Sequence, residues 1–185
     1  MDKPVKHRLF FGLDLPESVK QQLLSIQRPL AGARWQRADQ LHLTLAFLGS
    51  VEEQHLPVLR EVVRNLPVLP FDLAISGVGC FGKPDRPKNL WAGVRPVQKL
   101  EELQAGLNQR LASVGFAQEK RSFQPHVTLC RFKKEAGSVA ELLQDYDELL
   151  IEPFQVDRFA LFESVQGERG SVYHVVETYP LSGAR

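Results

Sequence analysis

Apolar and polar positions along this chain switch between two periods, and the switches outline its elements. Arg8 to Leu13 is a short apolar run, the mark of a buried strand. Pro16 suits the first turn of a helix, and Val19, Leu23, Leu24 and Ile26 follow at mostly helical spacing to about Arg28. Leu41 to Leu48 alternates and predicts a strand. Ser50-Val51-Glu52-Glu53 has the pattern of a capping box, which predicts a helix running to about Leu66 and split near its beginning by Pro57. Phe71, Leu73 and Ile75 alternate with Asp72, Ala74 and Ser76, a half-buried strand.

After a loop rich in Pro, Gly and Lys at Gly82–Lys88, the order begins again. Leu90 to Val94 reads as a strand. Pro96 opens a helix with Val97, Leu100, Leu103, Leu107, Leu111 and Val114 on one face. Phe123 to Phe132 reads as a strand, Ser138-Val139-Ala140-Glu141 as a second capping box, and Phe154 to Phe162 as a strand. Val172 to Glu177 closes the series. A strand-helix-strand-helix-strand unit therefore occurs twice, roughly at 8–78 and 90–163, which predicts a duplicated α+β architecture within one domain spanning 1–185.

Composition narrows the function classes. At 43% hydrophobic and 24% charged residues, the chain has the make-up of an ordinary globular protein. A net charge of +1 argues against a broad non-specific grip on duplex nucleic acid, but leaves room for one nucleotide or RNA end held by local cations. Cys80 and Cys130 form no Cys-x-x-Cys pair, so neither a disulfide framework nor a zinc knuckle is expected. Leu9 to Leu13 is too short for a secretory signal, and no stretch approaches a membrane span. The expectation is a cytoplasmic monomer with no membrane partner.

The candidate chemistry sits on the middle strand of each unit. Leu41-His42-Leu43-Thr44-Leu45 and Pro125-His126-Val127-Thr128-Leu129 carry the same His-x-Thr pattern. With 5 His and 3 Thr in 185 residues, random placement would yield roughly 0.08 such patterns. Two, at equivalent places, are hard to attribute to chance. Because side chains alternate across a strand, each His shares a face with its Thr while the flanking apolar residues pack behind. Two imidazoles facing one another suit general acid–base catalysis near neutral pH, and two hydroxyls suit phosphate oxygens. Neither motif brings a Cys, Asp or Glu in register as a third ligand, so no metal is expected.

At these residues the chain resembles the 2H phosphoesterase superfamily, named for two His-x-Thr-x motifs. Leu41 to Gly49 is similar to the bacterial and archaeal RNA 2′,3′-cyclic phosphodiesterases, once described as 2′-5′ RNA ligases. So are Arg8 to Pro16, Pro125 to Arg131, and Leu161-Phe162-Glu163-Ser164 followed by Tyr173. The resemblance implies two lobes with antiparallel sheets around a central cleft, and hydrolysis of a terminal 2′,3′-cyclic phosphate on RNA 3′ ends or nucleotides to a 2′-phosphate, without cofactor. It implies His42 as proton donor to the leaving 3′-oxygen and His126 as proton acceptor from water. Thr44 and Thr128 would hold the phosphate, and Phe47 and Arg131 would contact base and phosphate. Phe47 and Arg131 each lie five residues beyond their His, where strict alternation turns them away, so a bulge or strand end must re-aim them.

The motifs are nearly symmetric, so which His is acid and which base is not legible in the residues themselves. Two other readings share the motifs: a module that binds a nucleotide or 2′-phosphate without turnover, and the reverse reaction joining RNA ends through a 2′-5′ linkage. No Gly-rich phosphate loop or nucleotide-activating Lys motif supports an ATP-driven ligase. His7, His55 and His174 lack a Thr partner and read as surface or strand-face residues; Trp35 and Trp91 read as packing. Arg34, Arg37, Lys120, Arg121, Lys133 and Lys134 flank the motif strands, where they could line a path for RNA phosphates but read as solvated charges.

Overall fold

The computed structural model describes residues 2–117 and 119–182. Its strands are β1 (Lys6–Asp14), β2 (Ala33–Trp35), β3 (His42–Glu52), β4 (Phe71–Lys83), β5 (Arg86–Arg95), β6 (Val127–Phe132), β7 (Leu150–Val156), β8 (Arg158–Gly167) and β9 (Gly170–Pro180). The helices are α1 (Glu17–Leu24), α2 (Leu56–Val62), α3 (Gln98–Ser113) and α4 (Ala140–Asp145). All strand pairings are antiparallel, in the order β7-β4-β5-β6-β3-β1-β8-β9, with β2 added on β6.

That order divides into two halves, β7-β4-β5-β6 with β2 and β3-β1-β8-β9, whose strands pair, among the described residues, only where β3 meets β6 at Leu43 and Val127. Each half takes a strand from the other stretch of sequence. β4, which ends the first predicted unit, pairs with β5 and β7. β8, which ends the second, pairs with β1 and β9. Leu9, Phe11, Leu43, Leu90, Val127 and Leu161, all fully buried, place one apolar core behind both halves. No helix among the described residues is long and apolar enough to cross a membrane.

The predicted faces were accurate where periodicity was strong. Leu100, Leu103, Leu107 and Leu111 of α3 are buried as expected; Val97 and Val114 at its ends are exposed. Boundaries moved where strand pairing outweighed a local signal. Ser50 to Glu52 are strand, not helix start, because they pair with Arg8, His7 and Lys6 of β1. A short 3-10 turn then leads into α2, which begins at Leu56, carries Pro57 in its first turn and stops at Val62. The first helix ends at Leu24, not Arg28; Pro29 disfavours helical geometry at the residue before it. The predicted loop Gly82–Lys88 shrinks to a tight turn between β4 and β5. The strand predicted from Phe123 begins only at Val127, and that predicted at Phe154–Phe162 is two strands broken at Asp157. β2 had no sequence signal of its own. At the second capping box, Ser138 Oγ accepts from the Ala140 amide at 3.2 Å, but the helix starts beyond it.

Candidate active site

The pairing of Leu43 with Val127 fixes the geometry of both motifs at once. In an antiparallel pair the positions on either side of that point face each other, so His42 stands opposite Thr128 and Thr44 opposite His126. Leu43 and Val127 are fully buried and turn to the core, and the four polar side chains therefore share the other face. Diagonal neighbours across such a pair lie about 7–8 Å apart, which is the expected order of separation between His42 and His126. The two histidines also sense one another electrostatically: His126 and Arg131 both disfavour the charged form of His42.

Each imidazole is anchored in the same way. His42 Nδ1 lies 2.8 Å from the Gln40 carbonyl and His126 Nδ1 2.6 Å from the Gln124 carbonyl. A carbonyl only accepts, so Nδ1 carries the hydrogen in both rings and Nε2 is the atom left for chemistry. In His42 that Nε2 lies 3.0 Å from Thr44 Oγ1. Gln40 is itself held: its side chain accepts from the Arg37 amide and donates to the Ser171 carbonyl, both at 2.9 Å, tying the residues before β3 to the β8–β9 hairpin. The repeated element is thus Gln-x-His-x-Thr, present at 40–44 and 124–128, and the Gln in both copies is a sequence signal that extends the His-x-Thr pattern by two residues.

The two surroundings differ. His42 packs among Phe10 (4.8 Å between ring centroids), Tyr173 (5.0 Å) and Phe162 (6.3 Å). Burial in this aromatic nest pushes its pKa down to about 4, against the opposing effect of the Gln40 hydrogen bond. His126 meets Phe81 edge-on at 5.0 Å and Trp91 at 6.1 Å. None of these aromatic neighbours was singled out as a site residue from sequence, and Trp91, read as packing, forms one wall around His126.

Bulges turn the next residues toward the same face. Phe11 pairs with Ala46 but Gly12 with Thr44, so Leu45 is an extra residue in β3. Leu90 pairs with Cys130 but Trp91 with Thr128, so Leu129 is an extra residue in β6. Both leucines are buried, and each lies three residues after its His. One added residue reverses the alternation, which brings Phe47 and Arg131 to the His side. A cleft of about 860 Å³ is lined by Thr44, Phe47, Phe81, Phe123, His126 and Arg131 among others. His42 and Thr128 are not among its lining groups; register places them on the same face of the same two strands. Phe47 is 53% exposed, with the Arg8 guanidinium 4.9 Å from its ring centroid. Among the described residues, no group of three or more His, Cys, Asp or Glu is placed to hold a metal ion.

With this geometry in view, known proteins provide a comparison. A family model described as the 2′-5′ RNA ligase superfamily matches residues 15–168. A Thermotoga maritima protein named RNA 2′,3′-cyclic phosphodiesterase is 34% identical, over 91% of this chain and 92% of its own length. A crystal structure of a Thermus thermophilus protein superposes with a TM-score of 0.82 at 29% identity, covering 96% of this chain and all of its own. E. coli LigT in complex with 3′-AMP superposes with a TM-score of 0.77 at 28% identity, over 96% of this chain and 99% of LigT.

Proposed function

This chain belongs to the 2′-5′ RNA ligase superfamily, and from that premise we propose that it is an RNA 2′,3′-cyclic phosphodiesterase, opening terminal cyclic phosphates to 2′-phosphates with His42 and His126 as its acid–base pair. The observation that carries the reading is the register at Leu43 and Val127, which sets two imidazoles and two hydroxyls on one face, with both Nδ1 atoms tied to carbonyls.

In the proposed reaction the cyclic phosphate lies between the two Nε2 atoms. Thr44 and Thr128 donate to its free oxygens, and Arg131 balances its charge. His126 Nε2 takes a proton from water as the water oxygen bonds to phosphorus. The bond from phosphorus to the 3′-oxygen breaks, and that oxygen receives a proton from His42 Nε2. The 2′-ester remains. Neutral His42 must first acquire that proton, and the anion supplies the reason: a negative charge against Nε2 favours the imidazolium and offsets the repulsion from Arg131. Phe47 offers an exposed aromatic face to the base.

The low proton affinity of His42 also favours a second reading, with the roles exchanged and His42 as base. Leaving-group chemistry separates them. If His42 is the donor, His42→Ala keeps much of its activity on a phosphodiester with a nitrophenolate leaving group, which needs no proton, while His126→Ala loses it. The reverse result exchanges the roles. The proposal as a whole is tested with purified protein in EDTA and a nucleoside 2′,3′-cyclic phosphate. Each His→Ala variant should lose about 100-fold or more in kcat. Wild-type rates in both variants sink it.

A further inference from the structure

β2 brings a second arginine beside the cleft. Arg34 pairs directly with Arg131 across the β2–β6 ladder, flanked by the pairs Ala33 with Phe132 and Trp35 with Cys130. Directly paired residues point to the same face of a sheet, with Cβ atoms about 4.5–5.5 Å apart. Cys130 is fully buried and Trp35 is half-buried against the core, so Arg34 and Arg131, both exposed, project together to the side that Arg131 shares with the catalytic groups. Among the described residues neither guanidinium has an ion pair or a side-chain hydrogen bond. Like charges in facing positions oppose the fold. Two of them, one lining the cleft, are instead the arrangement that an anion bridging both would stabilise.

We propose that Arg34, with Arg131, forms a second phosphate subsite that holds a backbone phosphate of an RNA strand, on the 5′ side of the nucleoside whose cyclic phosphate is opened. The inference rests on the hydrolase reading above and deepens it: the preferred substrate is a strand end, not a single nucleotide. Three residue steps along the strand lead from Thr128 to Arg131, at most about 10 Å. An arginine side chain and one nucleotide together span that gap. Arg131 stands between the subsites and reaches either phosphate; Arg34 serves only the outer one.

The test compares a nucleoside 2′,3′-cyclic phosphate with a dinucleotide ending in the same cyclic phosphate. Wild type is expected to show kcat/KM about 10-fold higher on the dinucleotide. Arg34→Gln should bring the ratio of the two toward one, mainly through KM, and Arg34→Lys should keep part of the preference. On the dinucleotide, the logarithmic salt dependence of kcat/KM should become shallower by about 0.7 in Arg34→Gln, as expected for one lost phosphate contact on a single strand. Equal wild-type values for the two substrates, or a loss in Arg34→Gln that is the same on both, overturns the subsite and leaves the hydrolase reading standing. Failure of wild type to turn over either substrate overturns the hydrolase reading itself.

Discussion

His42 and His126 show how far one residue type can be differentiated by what touches it. Both rings are fixed by a carbonyl two residues earlier, yet only His42 lies in a nest of three aromatic rings. Desolvation there outweighs the hydrogen bond that favours the charged form, giving a pKa of about 4 in place of 6.5. The consequence for stability has a definite sign. Below about 6.5 the unfolded chain takes up a proton at this position, while the folded chain does not until about 4. Stability therefore falls as pH drops through this window, by about 3 kcal/mol for a shift of this size, and changes no further below it. At pH 7 the group contributes nothing of this kind. His42→Gln should accordingly be less sensitive to acid between pH 6.5 and 4 in urea unfolding. By NMR, the His42 ring should titrate near 4 in the free protein and markedly higher once inorganic phosphate fills the cleft. A ring titrating near 6.5 in both states would remove the basis for an anion-delivered proton. His7 behaves oppositely: its hydrogen bond to Glu163 at 2.6 Å raises its pKa, so its contribution is present in acid and is lost as pH rises past that raised value.

At the scale of the element, the site depends on two bulges whose positions no sequence pattern announces. The alternation around His42 and His126 was legible, because apolar residues flank both and period two is a local property. The need for something to re-aim Phe47 and Arg131 was legible as well, from a five-residue spacing that strict alternation cannot satisfy. What was not legible is where the extra residue falls. Leu45 and Leu129 are identified only by the strands beside them, β1 and β5, and pairing between distant segments leaves little trace in either one. The same limit explains the false helix start at Ser50, where a local capping pattern competes with pairing to β1 and loses. It also explains β2, a three-residue strand that exists through its partner β6. The bulge in β3 makes a demand on its neighbour. Gly12 pairs with Thr44, and a Cβ added there would sit 2.8 Å from the Leu43 carbonyl oxygen. Gly12→Ala must displace backbone beneath the first motif. The expected result is a loss of about 1–3 kcal/mol in stability together with a fall in kcat larger than any change in KM. Full kcat with unchanged stability would show that β3 has room to move and that the bulge does not fix Thr44.

On the scale of the whole molecule, the arrangement of strands predicts how the protein comes apart. Were each half of the sheet built from one stretch of sequence, with a single residue pair at the seam, the two could melt separately. Instead β4 crosses into the half built on β5 and β6, and β8 crosses back to pair with β1. Losing either half removes a strand that the chain joins directly to one in the other, β4 following β3 and β8 following β7, and the core behind the seam is continuous through Leu43 and Val127. The proposed active site lies on that seam, with one His from each side. Unfolding should therefore be a single cooperative transition, although the chain at 185 residues exceeds the size at which that is routine. Trp35 and Trp91 both lie in the half containing β2 and β5, so their fluorescence reports that half alone. The NMR signal of His42 reports the other. In a urea titration the two signals and the far-ultraviolet dichroism should share one midpoint. Leu43→Ala, which opens a cavity at the seam, should move all three together to lower urea, by the equivalent of about 2–5 kcal/mol. Separation of the fluorescence and His42 midpoints, in wild type or in Leu43→Ala, would mean that the exchanged strands do not couple the halves, and that the two histidines are held together more loosely than a shared phosphate requires.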